Sequence, residues 1–271
     1  MKVSYVAINY RTPQHVQGFL QCFRDPLAGT RVWVVDNTEA AHRVPLTVDP
    51  HQCEWAACVT SPGNLGYFGG ARFGLELAFA GGADPDWVVV SNVDVRLDPS
   101  EVARSLHTKE VTKSGVIAPA VTSSATGAAL NPFMSVRPSR SRMHLYKNLF
   151  RYYWGYAAYS ALSGLAHRFR HRPERSPEPG TDRRIYSPHG SIMIFSREFF
   201  ARGGSLAHPP FLYGEEITVA ERARELGLPV EFVPSIRVEH QEHASMSALP
   251  GKLQHRFISE AATYAADAYF S

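Results

Sequence analysis

Trp87-Val88-Val89-Val90 is an unbroken apolar run, rich in β-branched residues and closed by the polar segment Ser91-Asn92-Val93-Asp94. A run of this kind suits a strand covered on both faces, as strands of parallel sheets are. Such a strand needs helices above and below it, which points to the α/β class. The rest of the first hundred residues agrees. Residues 3–8 alternate as a first strand, and Thr12-Pro13 offers an N-cap and a proline at the first helical position. The stripe Val16, Phe19, Leu20 and Phe23 follows. Residues 31–35 are β-rich and end in Asp36-Asn37, residues 55–60 read as a short strand, and a helical pattern follows Gly74. The order β-α-β-β-α-β predicts an open, mixed, mostly parallel sheet with helices on both faces. Ligands of such sheets gather beyond the carboxyl ends of the strands, where Asp36 and Asn92–Asp94 lie.

Beyond residue 120 the pattern is less regular. Residues 121–138 and 176–182 read as loops, 191–195 as a strand and 196–201 as a short helix. A helix is expected from about 216 to 226, ended by Gly227 and Pro229. Two short strands, 230–233 and 236–239, lead to His240, and the tail 253–270 reads as helical. At 271 residues with 44% hydrophobic content, the chain can bury a sizeable core, which excludes a disordered class. We read it as one domain, 1–271, with halves at about 1–120 and 121–271.

Three cysteines, odd in number and without metal-finger spacing, suit buried thiols in a reducing compartment. The N-terminus is too polar for a secretory leader, and no apolar stretch approaches the roughly 20 residues of a membrane span. The expected place is the cytoplasm. The net charge of +3 is uneven: residues 140–175 hold eight Arg and Lys against one acid, Glu174, so that block carries +7 and the remainder −4. The block also carries Tyr, Trp and Leu, a composition that suits the anionic inner face of a membrane, a dimer interface or a helix packed on the core. No nucleic-acid motif accompanies the charge.

Four clusters carry chemistry. In Asn92-Val93-Asp94, alternation places the amide and the carboxylate on one side, a donor set for Mg²⁺ or Mn²⁺ on phosphate oxygens or a plain polar turn. The stretch Gly63–Gly74, GNLGYFGGARFG, has five glycines in twelve residues ahead of the expected helix, enough to bring backbone amides to a phosphate or to form a turn. Tyr213-Gly214-Glu215-Glu216 offers a general base, or two acids suited to a helix N-terminus. His240, at a strand end, is a metal ligand or a surface residue.

Together and in this order, these clusters resemble the family 2 inverting glycosyltransferases of GT-A fold. The resemblance runs through INYRTP (8–13), VVDNT (34–38), GNLGYFGGARFG (63–74), SNVDV (91–95), FLYGEE (211–216) and VEH (238–240), about residues 3 to 245. It implies a nucleoside-diphosphate sugar donor held by Asn9, Tyr10, Arg11 and Asp36, with Asn64, Gly66 and Arg72 along the diphosphate. It also implies Mg²⁺ or Mn²⁺ on Asp94, with Asn92 in the first acidic position of a D-x-D-like motif and His240 as a further ligand. Glu216 stands where the family has its catalytic Asp, directly after Glu215, and either could be the base. Ser187–Ser191 aligns with the acceptor-side segment, which makes His189 an acceptor contact; Tyr213, in the aromatic-x-Glu-Asp motif, is counted with it. A saccharide or lipid-linked acceptor is implied, and the donor lean is dTDP-rhamnose, because Asn92 in place of an acid occurs in the rhamnosyl-transferring branch. Two alternatives stay open: a catalytically silent sugar-nucleotide-binding protein, and a sugar-phosphate nucleotidyltransferase, although INYRTP is not the glycine-rich loop of that class.

Overall fold

A computed structural model describes residues 1–108, 111–169, 183–241 and 251–271. Four parallel strands form its first half: β1 (Val3–Asn9), β2 (Thr30–Asp36), β3 (Ala56–Thr60) and β4 (Trp87–Asn92), in the order β3-β2-β1-β4. The sheet continues through β8 (Ile192–Ser196), antiparallel to β4, then β6 (Val116–Ser123), β9 (Val230–His240) and β5 (Val95–Leu97). The short β7 (Arg183–Ile185) pairs with β9. The expected mixed sheet is present. Six of the nine described strands run in one direction, and β8, β5 and β7 run against them.

Helices cover both faces, and β1 shows why. Val3, Tyr5 and Ala7 pack with Phe19 and Phe23, from the helix α1 (Pro13–Leu20) and the turn after it. Val6 and Ile8 pack on the other face with Phe68, Ala71 and Leu75 of α2 (Tyr67–Ala80). A strand's period of two sends alternate residues into two cores, so β1 is buried along its whole length.

Several elements differ from expectation. Helix α2 starts at Tyr67, not after Gly74, so Gly69, Gly70 and Gly74 are helical. Their role is close packing: a Cβ on Gly74 would lie 2.6 Å from Val35 and 2.7 Å from Val6. Thr12 does not cap α1; its amide and hydroxyl both donate to Asn9 Oδ1, at 3.3 and 3.1 Å. β6 enters the stretch read as a loop, and α3 (Pro99–Leu106), capped by Asp98, was not foreseen. The two expected strands after residue 229 are one strand, β9, whose register on β6 shifts between Pro119 and Ala120. The short helix expected at 196–201 is α6 (Arg197–Ala201), and the loop expected at 176–182 lies outside the described residues.

Within the basic block, α4 (Arg140–Phe150) and α5 (Tyr153–Phe169) join α8 (Gly251–Tyr269). Met143 packs with Ala265, Ala266 and Phe270, and Lys147 pairs with Asp267. Part of the block is therefore packed on the body of the protein, while Tyr152 and Trp154 remain exposed. Among the described residues, no helix is long and apolar enough to cross a membrane.

A candidate active-site cleft at the strand ends

A cleft of about 560 Å³ opens where β1, β2 and β4 end, bounded by residues 189–191, the segment leading into α7 (Glu215–Glu225), and α8. It collects Tyr10, Asn64, Gly66, Asn92, Asp94, His189, Tyr213, Glu215, Glu216 and His240 from six separate stretches of chain.

On the wall beyond the ends of β1 and β2, Glu39 receives Tyr10 Oη at 2.9 Å, Arg11 Nε at 3.0 Å and Asn64 Nδ2 at 3.3 Å. Partial burial pushes its carboxyl up, but these hydrogen bonds and that of its own amide outweigh burial and bring it down to about 2. Asn37 ties the glycine loop to β2, donating to Gly66 O at 2.8 Å and accepting from the Leu65 amide at 3.0 Å. Neither Glu39 nor Asn37 was singled out from sequence, although both follow Asp36 at a strand end, where a ligand was expected.

Gly66 has φ +74°, and a Cβ there would overlap the Phe211 carbonyl oxygen. Both features favour glycine. Gly66→Ala should force the 211–214 segment outward, lowering the melting temperature and weakening any cleft ligand by about tenfold or more. Thermal melts together with ligand titration check this.

At the opposite end, β5 and β9 bring Asp94 and His240 together, with Val95 opposite His240 and the Gln241 amide donating to Asp94 O at 2.8 Å. Asp94 Oδ1 and His240 Nε2 are 3.2 Å apart, yet Asp94 Oδ1 and both His240 ring nitrogens are buried without a hydrogen-bond partner among the described residues. Buried polar atoms normally find partners, and a carboxylate oxygen facing an imidazole nitrogen is a donor set for a divalent cation. The site has these two protein donors; among the described residues no group of three or more His, Cys, Asp or Glu side chains is placed to hold a metal. The His189 ring lies edge-on to that of His240 with centroids 6.0 Å apart, and its Nδ1 accepts from the Ser191 amide at 3.2 Å.

Glu215 and Glu216 open α7. Before them come two left-handed residues, Tyr213 (φ +70°) and Gly214 (φ +82°). This conformation is strained for a tyrosine and is held by His208, whose Nε2 lies 2.9 Å from Tyr213 O and whose Nδ1 lies 2.8 Å from Thr218 Oγ1. Burial, then the neighbouring Glu216, pushes the Glu215 carboxyl up to about 8; burial also raises Glu216. Gly190 lets the Glu216 carboxyl lie against the chain, since a Cβ there would be 2.6 Å from Glu216 Oε1.

Four expected site residues lie elsewhere. Asp36 is buried behind the cleft wall, accepting from Asn9 Nδ2 at 3.1 Å and the Thr38 amide at 3.2 Å, with Arg43 Nε 3.5 Å away. Its carboxylate and the Asn9 amide are thus taken up within the protein. Asn9 and Arg11 border a separate pocket of about 310 Å³. Arg72 is exposed and pairs with Glu76 at 3.4 Å, because the early start of α2 turns it away from the cleft.

No protein-family model matches the chain, and no curated protein matches it. Solved structures do. GalNAc-T7 with UDP, GalNAc and Mn²⁺ superposes with a TM-score of 0.55 at 12% identity, over 90% of this chain and 44% of that one. S. aureus TarS 1-349 in complex with UDP-GlcNAc gives 0.51 at 12% identity, over 92% and 62%. The chain has the GT-A fold. At this identity the likeness is one of fold, and the chain spans about half of the first protein and three-fifths of the second.

Proposed function

We propose that the protein is a glycosyltransferase that moves a sugar from a nucleoside diphosphate to an acceptor hydroxyl with inversion, in the manner of family 2 enzymes. The observation that carries this reading is one cleft that sets the unpartnered Asp94–His240 pair against the buried Glu215 and the partly buried Glu216. Residues 1–120 supply the nucleotide wall, through Tyr10, Glu39 and Asn64, and residues 121–271 supply the acceptor wall, through His189, Tyr213 and the glutamates.

Asp94 and His240 would hold Mg²⁺ or Mn²⁺, which would offset the charge developing on the departing diphosphate. Glu216 takes the proton of the acceptor hydroxyl as that oxygen attacks the anomeric carbon from the face opposite the diphosphate. His189, oriented by Ser191, positions the acceptor. The reaction is a single displacement, so configuration inverts and no covalent intermediate on the protein is needed. The proposed donor is a UDP- or dTDP-sugar, with dTDP-rhamnose the lean from Asn92. The acceptor is a saccharide or a lipid-linked saccharide met at the cytoplasmic face, where exposed Tyr152 and Trp154 beside Arg151 would touch the membrane.

The test is a thermal-shift panel of UDP- and dTDP-sugars with and without Mn²⁺, followed by donor hydrolysis. A true donor at a hundred times its Kd should stabilise the fold by about 2.7 kcal/mol. No shift with any nucleotide would overturn the reading. The second reading, a silent binding protein, draws on Asn92 replacing a carboxylate; a thermal shift with no hydrolysis or transfer would favour it.

A further inference from the structure

The first residue of α2 carries a chemical group that the mechanism above leaves unused. Tyr67 lines the cleft, and its phenolic oxygen is buried with no hydrogen-bond partner among the described residues. Gly66, just before it, is fixed by Asn37 and by its close approach to Phe211, so the start of α2 and the Tyr67 backbone are held in place. The ring packs beside Phe68, which is in the core.

A buried hydroxyl without a partner destabilises the free protein, and phenylalanine would fill the same volume without that cost. Burial first, then the charges of Glu215, Glu216 and Asp94, hold the phenol well above its ordinary pKa of 10. It therefore remains an O–H donor at any working pH. Its electrostatic neighbours belong to both ends of the reaction: Asp94 on the leaving-group side, Glu215 and Glu216 on the acceptor side. The group that spans those two ends is the transferred sugar, whose anomeric carbon is bonded to the diphosphate on one side and attacked on the other.

We infer that Tyr67 is a donor-sugar contact, its O–H donating a hydrogen bond to an oxygen of the transferred hexose. The inference rests on the glycosyltransferase reading. Tyr67 recognises the sugar and not the nucleotide, so the two parts of the donor separate in a test.

The experiment compares wild-type protein with Tyr67→Phe in calorimetric titrations with Mn²⁺, using UDP-GlcNAc against UDP and dTDP-rhamnose against dTDP. The ligand-free melting temperature is recorded alongside. The expected result is opposed signs. Ligand-free Tyr67→Phe melts at or above the wild-type temperature, and its affinity for the sugar nucleotide falls about tenfold, while its affinity for the parent diphosphate stays within twofold. Unchanged sugar-nucleotide affinity, an equal loss for both ligands, or a lower ligand-free melting temperature would overturn the inference. Wild-type protein that binds neither class of ligand would overturn the glycosyltransferase reading with it.

Discussion

Asp94→Ala should lower sugar transfer and donor hydrolysis by about 10³-fold or more, because it removes the carboxylate facing His240 and leaves the diphosphate charge unopposed. The substitution should also separate metal-dependent from metal-independent binding. Nucleoside diphosphate affinity should become insensitive to Mn²⁺, while whatever affinity the wild-type protein shows without metal should persist. Asp94→Asn is the sharper form, since it keeps the volume and removes the charge. Turnover within a few fold of wild type in either variant would mean that the leaving group is stabilised elsewhere in the cleft.

The second large effect is expected at α7. Glu216→Gln should reduce kcat by about 10²–10⁴-fold with donor affinity nearly unchanged, as expected for a lost general base. If Glu215→Gln does this instead, the base is one residue earlier. The raised carboxyls also give a pH signature. Turnover should increase with pH above the ordinary carboxylate range, and that rising limb should vanish in the variant of whichever residue is the base. Stability has the opposite slope. A carboxyl raised by burial favours the folded state fully below its unfolded pKa, near 4.5, and that contribution is lost as pH rises through the folded value, about 8 for Glu215. Ligand-free Glu215→Gln should therefore melt close to wild type at pH 4 and above it at pH 9, by roughly 2–4 °C per kcal/mol released. Equal melting temperatures at both pH values would contradict the burial argument.

The sequence exposed the parts of this molecule that follow a simple period. β1, β2 and β4 were readable because an apolar, β-branched run between two helical layers has few other uses, and Asp94 was readable as the acid at such a strand's end. β6 was hidden because Pro119 sits inside it, where β9 shifts register, and a proline within a run ordinarily argues against a strand. The start of α2 was hidden by its glycines. Gly74 suits a helix pressed against Val6 and Val35, but in sequence the same residue looks like loop. Arg72, which the resemblance places along the diphosphate, is instead an exposed residue of this helix paired with Glu76, and Tyr67 went unmarked because a tyrosine among glycines carries no sign of a buried, unpaired hydroxyl. Asp36 and Asn9 lie outside the cleft for a different reason. Their positions at strand ends were right, but side-chain direction depends on partners such as Arg43 and Thr12, which the local pattern does not specify.

The most direct measurement is a crystal structure of the protein with UDP or dTDP and Mn²⁺, collected at a wavelength where manganese scatters anomalously. An anomalous peak coordinated by Asp94 and His240 is expected, with the diphosphate completing the shell and the nucleoside along Tyr10, Glu39 and Asn64. A nucleotide bound outside this cleft, or manganese ligated without Asp94, would contradict it.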